Sequence, residues 1–202
     1  MIAIIKGIEQ GSDEWKALRI GVFTATDAQA IANNGKGLDT LCIEKASEIL
    51  TGVSCEVEYD NPDMARGREL EADARNAFEF ATGLTVEQVS FVRLNEYAGC
   101  SPDGLVGHDE TIEIKCPNNK NYLLLLMKGI DAIDAKHIWQ MQYQMYITGR
   151  KACHYIAYNP NFQSRKLTIL KIERNVEYIE KIKAGLESAV KKTSEILNMV
   201  GK

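Results

Sequence analysis

The stretch from Gly99 to Pro117 restricts the fold more than any other part of the chain. It opens with S-P-D-G at 101–104, where proline presets φ and glycine supplies a positive φ, as in a tight turn. Thr111 to Lys115 then alternates apolar and polar side chains, which is typical of a short β-strand. The stretch therefore predicts a turn and a hairpin strand whose two faces differ in polarity.

The polar face of this strand carries groups that could do chemistry. Glu113 and Lys115 share that face, whereas Ile112 and Ile114 share the other. Asp103 brings a second carboxylate to the same end of the hairpin. Two carboxylates and an amine can hold a hard divalent cation and activate a water beside a phosphate. The alternative is ordinary turn chemistry at Asp103 and a solvent-exposed strand face.

The remaining patterns predict one domain over residues 1–202 with an α+β fold, because strands and helices do not alternate regularly. We expect a mixed central β-sheet flanked by helices, and a C-terminal amphipathic helix (175–202) packed on the domain. An acidic segment, 55–63, is expected to be a loop that ends in a helix start. Strands are expected at 2–5, 85–94, 153–158 and 166–172, and the main helices at about 62–81, 134–147 and 175–202.

The predicted helix from Asp134 to Ile147 carries an unusual polar stripe. His137, Gln140 and Gln144 recur at helical spacing on an otherwise apolar helix. Because buried amides need hydrogen-bond partners, this stripe faces either solvent or a polar site.

Two further positions have both a functional and an ordinary interpretation. Arg19 and Thr26 flank a predicted helix start, where unpaired amides and the helix dipole favour an anion. The ordinary interpretation is a helix cap and a surface charge. Glu71 lies in the predicted helix at about 62–81, on the face next to its apolar stripe. There it either contributes to the site or forms an exposed i,i+4 pair with Arg75.

Composition excludes several classes of protein. The net charge is −4, with −10 in residues 1–149 and +6 in residues 150–202, so a basic C-terminal part follows an acidic body. The five cysteines and three histidines lack the spacing of a zinc site, an iron–sulfur cluster or a disulfide framework. The sequence shows no signal peptide and no membrane-spanning apolar run. These features predict a soluble protein of a reducing cytoplasm that has no membrane partner.

Six phrases, in one order over about residues 9–180, resemble the lambda-type phage recombination exonucleases (alkaline exonucleases) of the PD-(D/E)xK nuclease superfamily. They are QGSDEWKALRIGVFTAT, EADARNAFEF, CSPDGL, IEIKCP, WQMQYQMYIT and IERNVEY. The resemblance implies a restriction-endonuclease-like core.

The resemblance also implies roles for the candidate residues. Asp103 and Glu113 would bind metal, with the Ile114 carbonyl completing the inner shell of one ion. Glu71 would help to bind a second ion, directly or through water. Lys115 would stabilise the attacking water and the charge that develops on the scissile phosphate.

Three more roles follow from the same resemblance. Gln140 would orient the site from its helix, and Arg19 and Thr26 would bind a terminal 5′-phosphate. Thr26 replaces the serine that is familiar at this position and keeps its hydroxyl. The predicted loop Asn118–Asn121 lacks an arginine that the family would lead us to expect near Asn121.

As a whole, the resemblance implies an exonuclease that uses two Mg²⁺ ions, with Mn²⁺ as a substitute. It would digest one strand of linear double-stranded DNA from 5′ to 3′ and leave 3′ overhangs for recombination. The implied partners are two further copies in a homotrimeric ring and a single-strand annealing recombinase, in the cytoplasm of a bacterial host. The alternatives are another PD-(D/E)xK enzyme, such as a nickase or junction-cleaving endonuclease, and a non-catalytic scaffold that binds DNA ends.

Overall fold

A mixed β-sheet forms the centre of the computed structural model, which describes residues 2–56 and 62–201. Most of the predicted acidic loop at 55–63 lies outside the described residues. The strands of the described part are Ala3–Ile5 (β1), Val86–Glu87 (β2), Phe91–Arg93 (β3), Gly99–Cys100 (β4), Gly104–Val106 (β5), Glu110–Lys115 (β6), Ala152–Tyr158 (β7) and Leu167–Glu173 (β8).

The five strands of the central sheet have the order β2-β5-β6-β7-β8, and only β6 and β7 run parallel. A second, antiparallel sheet has the order β1-β3-β4. The α-helices of the described part are Asp13–Arg19 (α1), Ala28–Asn33 (α2), Lys36–Thr51 (α3), Pro62–Thr82 (α4), Asn119–Lys128 (α5), Ala135–Thr148 (α6) and Val176–Met199 (α7). The predicted fold class, α+β with a mixed central sheet flanked by helices, is confirmed.

Helices cover both faces of the central sheet. Ile112 and Ile114 of β6 pack with Ala74 and Phe78 of α4 in one apolar cluster. Helix α6 covers the opposite face. The parallel strands β6 and β7 need a crossover connection, and α5 and α6 form this connection. Glu113 points to this second face and is 1% exposed. The alternative of a solvent-exposed strand face at Glu113 is therefore wrong.

The C-terminal helix α7 packs beside α2, α3 and α6. Its apolar side chains join a cluster with Ile31 and Leu38. Val176, which the helical spacing places in the apolar stripe, is largely exposed. The buried positions are Ile179, Ile182, Gly185, Leu186, Ala189, Thr193 and Leu197.

Two predicted segments differ from the structure. The single strand expected at 85–94 is two short strands, β2 and β3, which belong to different sheets. The chain changes sheet at Ser90, whose carbonyl accepts hydrogen bonds from the side chains of Trp15 and Ser101.

The second difference is the expected loop Asn118–Asn121, which is the start of α5. The Asn118 side chain accepts a hydrogen bond from the Asn121 amide at 3.0 Å and so caps the helix. Asparagine favours helix caps as strongly as it favours loops, and this double preference explains the error.

Within the described residues, no helix is long and apolar enough to cross a membrane.

The close contact between α7 and α2 gives a stability prediction. A Cβ added at Gly185 would lie 2.1 Å from the carbonyl oxygen of Ile31, which is backbone and cannot move aside alone. We expect Gly185→Ala to destabilise the protein by about 1–3 kcal/mol in urea unfolding, as overpacking does. Gly67→Ala in α4 is the control, because nothing lies within 4 Å of its added Cβ. Equal stability of the two variants would contradict this packing.

Candidate functional site

An open cavity of about 960 Å³ lies where β6 ends between α4 and α6. All of the sequence-predicted site residues line it, namely Arg19, Thr26, Glu71, Asp103, Glu113, Ile114, Lys115 and Gln140. The structure therefore brings together side chains that are up to 121 positions apart in the sequence.

The register of the hairpin places Asp103 beside the end of β6. Gly104 pairs with Ile112, so that Asp103 lies one step beyond the last ladder pair of β5. The Ile114 amide donates a hydrogen bond to Oδ2 of Asp103 at 2.6 Å. Because the N–H and C=O of one strand residue point to the same side, the Ile114 carbonyl is directed to this same edge.

Both carboxylate oxygens of Glu113 have a donor. The Lys115 ammonium donates to Oε1, and the side-chain amide of Gln144 donates to Oε2 at 2.7 Å. Hydrogen bonds to an ionised group are stronger than neutral ones, so these two donors fix the orientation of Glu113.

The carboxylates perturb one another. Burial, together with the charge of Glu113 and that of Glu71, raises the pKa of Asp103 to about 8, although Lys115 and the Ile114 amide oppose this shift. Asp103 keeps some contact with solvent through the cavity. Burial lowers the pKa of Lys115, but the charges of Glu113 and Asp103 outweigh it and raise that pKa above its usual value. Lys115 therefore stays charged, whereas Asp103 is mostly protonated at neutral pH.

These groups fit a cation that keeps part of its water shell. In the described part of the chain, no three His, Cys, Asp or Glu side chains lie close enough together to hold a metal ion on their own. The oxygens available at the end of β6 are those of Asp103 and Glu113 with the Ile114 carbonyl. One or two carboxylates, completed by water and substrate phosphate, are the usual protein ligands of Mg²⁺. The pKa of Asp103 is raised even though the Lys115 ammonium lies nearby, so a bound cation would favour the ionised form of this carboxyl.

Glu71 fits both interpretations of its position. Arg75, one helical turn further on, donates to Oε1 of Glu71 at 2.5 Å, which is the expected i,i+4 pair. Glu71 nevertheless lines the cavity and contributes to the raised pKa of Asp103. The ion pair thus holds Glu71 at the cavity wall.

Arg19 and Thr26 lie on another wall of the cavity. The Arg19 guanidinium lies 4.4 Å from the centre of the Trp15 ring and forms an ion pair with Glu56 at 2.5 Å. Thr26 is exposed, and its hydroxyl lies 3.0 Å from that of Thr24. The helix-cap contacts at this position belong to Thr24, whose amide donates to the Asp27 carboxylate, so the Thr26 hydroxyl does not serve as the cap.

Trp15 connects this wall to the hairpin. Its indole N–H donates to the Ser101 hydroxyl at 3.0 Å and to the Ser90 carbonyl at 3.1 Å. Ser101 lies two residues before Asp103. The same side chain therefore packs under Arg19 and holds the start of the turn that carries Asp103.

Sequence reasoning missed three polar side chains near Glu113. Gln144 belongs to the predicted polar stripe, but the resemblance assigns the orienting role to Gln140. His137 of the same stripe lines the cavity, and burial beside Lys115 lowers its pKa to about 4, so its imidazole is neutral at pH 7. Tyr155 pairs with Glu113 in the β-ladder, and burial raises its pKa to about 12. Its position inside a continuous apolar strand gave no signal.

The chain is similar to one protein-family model and to several solved structures. A model of the YqaJ-like viral recombinase domain matches residues 14–151. An alkaline exonuclease (LHK-Exo) from Laribacter hongkongensis has a similar structure, with 29% identity, a TM-score of 0.84 and coverage of 94% of this chain and 96% of that chain. LHK-Exo in complex with dAMP matches at 30% identity and a TM-score of 0.83, with the same coverage.

Two further matches are more limited. A phage-related exonuclease from Haemophilus somnus 129PT, 18% identical with a TM-score of 0.70, covers 89% of this chain and 96% of its own, and shows the shared fold. The uncharacterized protein ExoD of Escherichia coli (strain K12) is 29% identical over 73 residues, which is 36% of this chain and 84% of ExoD. Because the family model spans more than half of the chain, and the LHK-Exo structures nearly all of it, the chain belongs to the YqaJ-like viral recombinase family, which confirms the resemblance to the lambda-type recombination exonucleases.

Proposed function

We propose that this protein is a Mg²⁺-dependent exonuclease that digests one strand of linear double-stranded DNA from 5′ to 3′ and leaves 3′ overhangs. The observation that supports this proposal is one shared cavity. It holds the carboxylate and lysine groups of β6 together with Arg19 and Thr26, which suit a terminal phosphate.

Asp103, Glu113 and the Ile114 carbonyl would hold one Mg²⁺, and Glu71 would contribute to a second; Mn²⁺ would serve as a substitute. When bound, the ions lower the pKa of a water and neutralise charge on the phosphate. Gln140 would position substrate or water from the cavity wall.

Lys115 has the charge and the position to stabilise the reacting phosphate. Its ammonium has three N–H donors, and Glu113 accepts one of them. A second can reach a phosphate oxygen while Glu113 keeps the side chain in place. Because the pKa of Lys115 is raised, the ammonium remains protonated at alkaline pH and does not act as the base.

Arg19 and Thr26 would select chain ends, because only an end carries a terminal 5′-phosphate. Arginine binds phosphate through two parallel N–H groups, and a hydroxyl can add a third donor. A phosphate fixed there, with the chain running to Asp103, gives cleavage a direction from the 5′ end. The dAMP in the LHK-Exo complex, a mononucleotide bound to that protein, agrees with a nucleotide-sized site.

We also propose that the protein acts as a homotrimeric ring around DNA, in the cytoplasm of a bacterial host, with a single-strand annealing recombinase as its partner. A ring retains DNA by its topology, which would suit a net charge of −4. Light scattering at micromolar concentration should give three times the chain mass. A monomer would contradict the ring.

The function is tested on three substrates in Mg²⁺, namely linear duplex labelled at the 5′ ends, the same duplex labelled at the 3′ ends, and covalently closed circular duplex. We expect early release of 5′ label as mononucleotide, retention of the 3′ label on single strands, and no cleavage of the circle. Cutting of the circle as fast as the linear duplex would favour an endonuclease. Binding of ends without hydrolysis would favour a scaffold.

The phosphate anchor gives a prediction at Arg19. We expect Arg19→Ala to lower the rate on 5′-phosphorylated ends about 10–100-fold, because a hydrogen bond to a charged group is worth about 1.5–3 kcal/mol. The rate on 5′-hydroxyl ends should change little. Single-turnover digestion of duplexes that differ only in this end group measures both.

Glu56→Gln is the matched variant, because it removes the carboxylate that pairs with Arg19. We expect the affinity for 5′-phosphorylated ends to rise by up to about fivefold, the range of a partly exposed ion pair. An equal loss on both end types in Arg19→Ala, or weaker binding in Glu56→Gln, would contradict the assignment.

The raised pKa of Asp103 gives a prediction for the metal-free protein. The unfolded carboxyl titrates near 3.8 and the folded one near 8, so the folded state binds more protons between these values. The contribution of Asp103 to stability is therefore largest below pH 4 and is lost as pH rises through 8. Asp103→Asn removes this loss, and we expect its Tm to exceed that of the wild type by at least about 2 °C at pH 9.

The same comparison at pH 4 should show little difference, since both side chains are then neutral. Thermal unfolding in EDTA, followed by circular dichroism, measures the two Tm values. A lower Tm for Asp103→Asn at pH 9 would show that the carboxylate is stabilised and not strained by its neighbours.

A further inference from the structure

Gln144 makes a contact that the proposed function does not yet use. It lies in α6 between Met141 and Met145 and is 0% exposed, as they are. Its Nε2 donates to Oε2 of Glu113 at 2.7 Å. Its own Oε1 has no hydrogen-bond partner among the described residues. The amide is therefore kept in an apolar layer with only one of its two ends satisfied.

The unpaired oxygen of Gln144 costs stability, because a buried carbonyl oxygen without a partner loses its hydration without compensation. A methionine at this position would avoid that loss but would leave Oε2 of Glu113 without its donor. The orientation of the amide is also determined by its partner. The opposite orientation would set an oxygen of Gln144 against the Glu113 carboxylate. The amide of Gln144 therefore supplies a fixed hydrogen-bond donor to the Glu113 carboxylate.

We propose, on the basis of the proposed function, that Gln144 is a positioning residue. It donates to one oxygen of the Glu113 carboxylate, so that Lys115 donates to the other. Gln144 holds Oε2, so that the Lys115 ammonium contacts Oε1 alone. Two N–H groups of Lys115 then remain for water and phosphate, and the lone pairs of Glu113 that face the cavity remain for a cation.

Loss of Gln144 would change both neighbours. The buried Oε2 of Glu113 would lose its donor, and the Lys115 ammonium is the other donor already in contact with this carboxylate. We expect the carboxylate to rotate toward Lys115 and bind it through both oxygens. This closer pair would withdraw Glu113 from the cation and Lys115 from the phosphate. It would leave the Arg19 side of the cavity unchanged.

The test compares Gln144→Met with Gln142→Met. Gln142 lies on the same helix and is 2% exposed, but its amide bonds to the Glu173 carbonyl and the Asn175 amide, away from the cavity. Both variants therefore lose a buried amide from α6. Circular dichroism confirms that each is folded, and Gln144→Asn, which is one methylene too short to reach Glu113, is the second variant if Gln144→Met does not fold.

Two measurements separate positioning from structure. The first is the Mg²⁺ concentration that gives half of the maximal rise in Tm of the DNA-free protein. The second is the kcat and KM for digestion of 5′-phosphorylated linear duplex. For Gln144→Met we expect the half-saturating Mg²⁺ concentration to rise about 10–100-fold, as when a hydrogen-bond partner of a metal ligand is removed. At saturating Mg²⁺, kcat should fall and KM should stay within about threefold of wild type. Gln142→Met should keep the wild-type value of all three.

A double-mutant cycle shows whether Gln144 acts through Glu113. In a Glu113→Gln background, Gln144→Met should not weaken Mg²⁺ binding further. The inference would be overturned, while the function stands, by any of three results. The half-saturating Mg²⁺ concentration changes less than about threefold in Gln144→Met, it changes equally in Gln142→Met, or the effects in the cycle are fully additive. If the wild-type protein shows neither Mg²⁺ binding nor digestion, the proposed function and this inference both fail.

Discussion

The hydrogen bond from the Ile114 amide to Asp103 is the contact on which the rest of the site depends. It joins the turn before β5 to the end of β6 at the point where the ladder between these strands stops. The bond turns Oδ2 of Asp103 toward β6, and the strand geometry directs the Ile114 carbonyl to the same edge. Without it, Asp103 would belong to a surface turn, which is the ordinary interpretation of its sequence.

Helices cover both faces of the sheet, and the burial that results raises the pKa of Asp103. Helix α4 buries the isoleucines of β6, and α6 buries Glu113 on the other face. Burial raises the pKa of Asp103, and the nearby charges of Glu113 and Glu71 raise it further. The charges of Glu113 and Asp103 outweigh the effect of burial on Lys115 and keep its ammonium charged. The fold thus places a carboxyl with a raised pKa beside a charged ammonium in one cavity.

The local sequence was sufficient for the chemistry of the site but not for its surroundings. Alternation along Thr111–Lys115 correctly separates the isoleucines from Glu113 and Lys115, because it depends only on strand geometry. It cannot say what covers each face, since this depends on α6, which follows about twenty residues later. The stripe on α6 was visible for the same local reason. That Gln144, and not Gln140, reaches Glu113 depends on how the helix lies over the sheet.

Other features depend on contacts between distant segments. The ion pair of Arg19 with Glu56 and the hydrogen bond of Trp15 with Ser101 join residues 37 and 86 positions apart. No local pattern predicts either. Together they show that the wall expected to bind phosphate and the hairpin are held by one set of contacts, so that the distance between them is set by the fold.

A cation that binds the carboxylates of this cavity should displace a proton from Asp103. Calorimetric titration of Mg²⁺ in two buffers with different ionisation enthalpies counts the protons released on binding. Because the pKa of Asp103 lies at about 8, we expect release of about one proton at pH 7, falling toward zero above pH 9. Binding without proton release at pH 7, or equal release by Asp103→Asn, would contradict it.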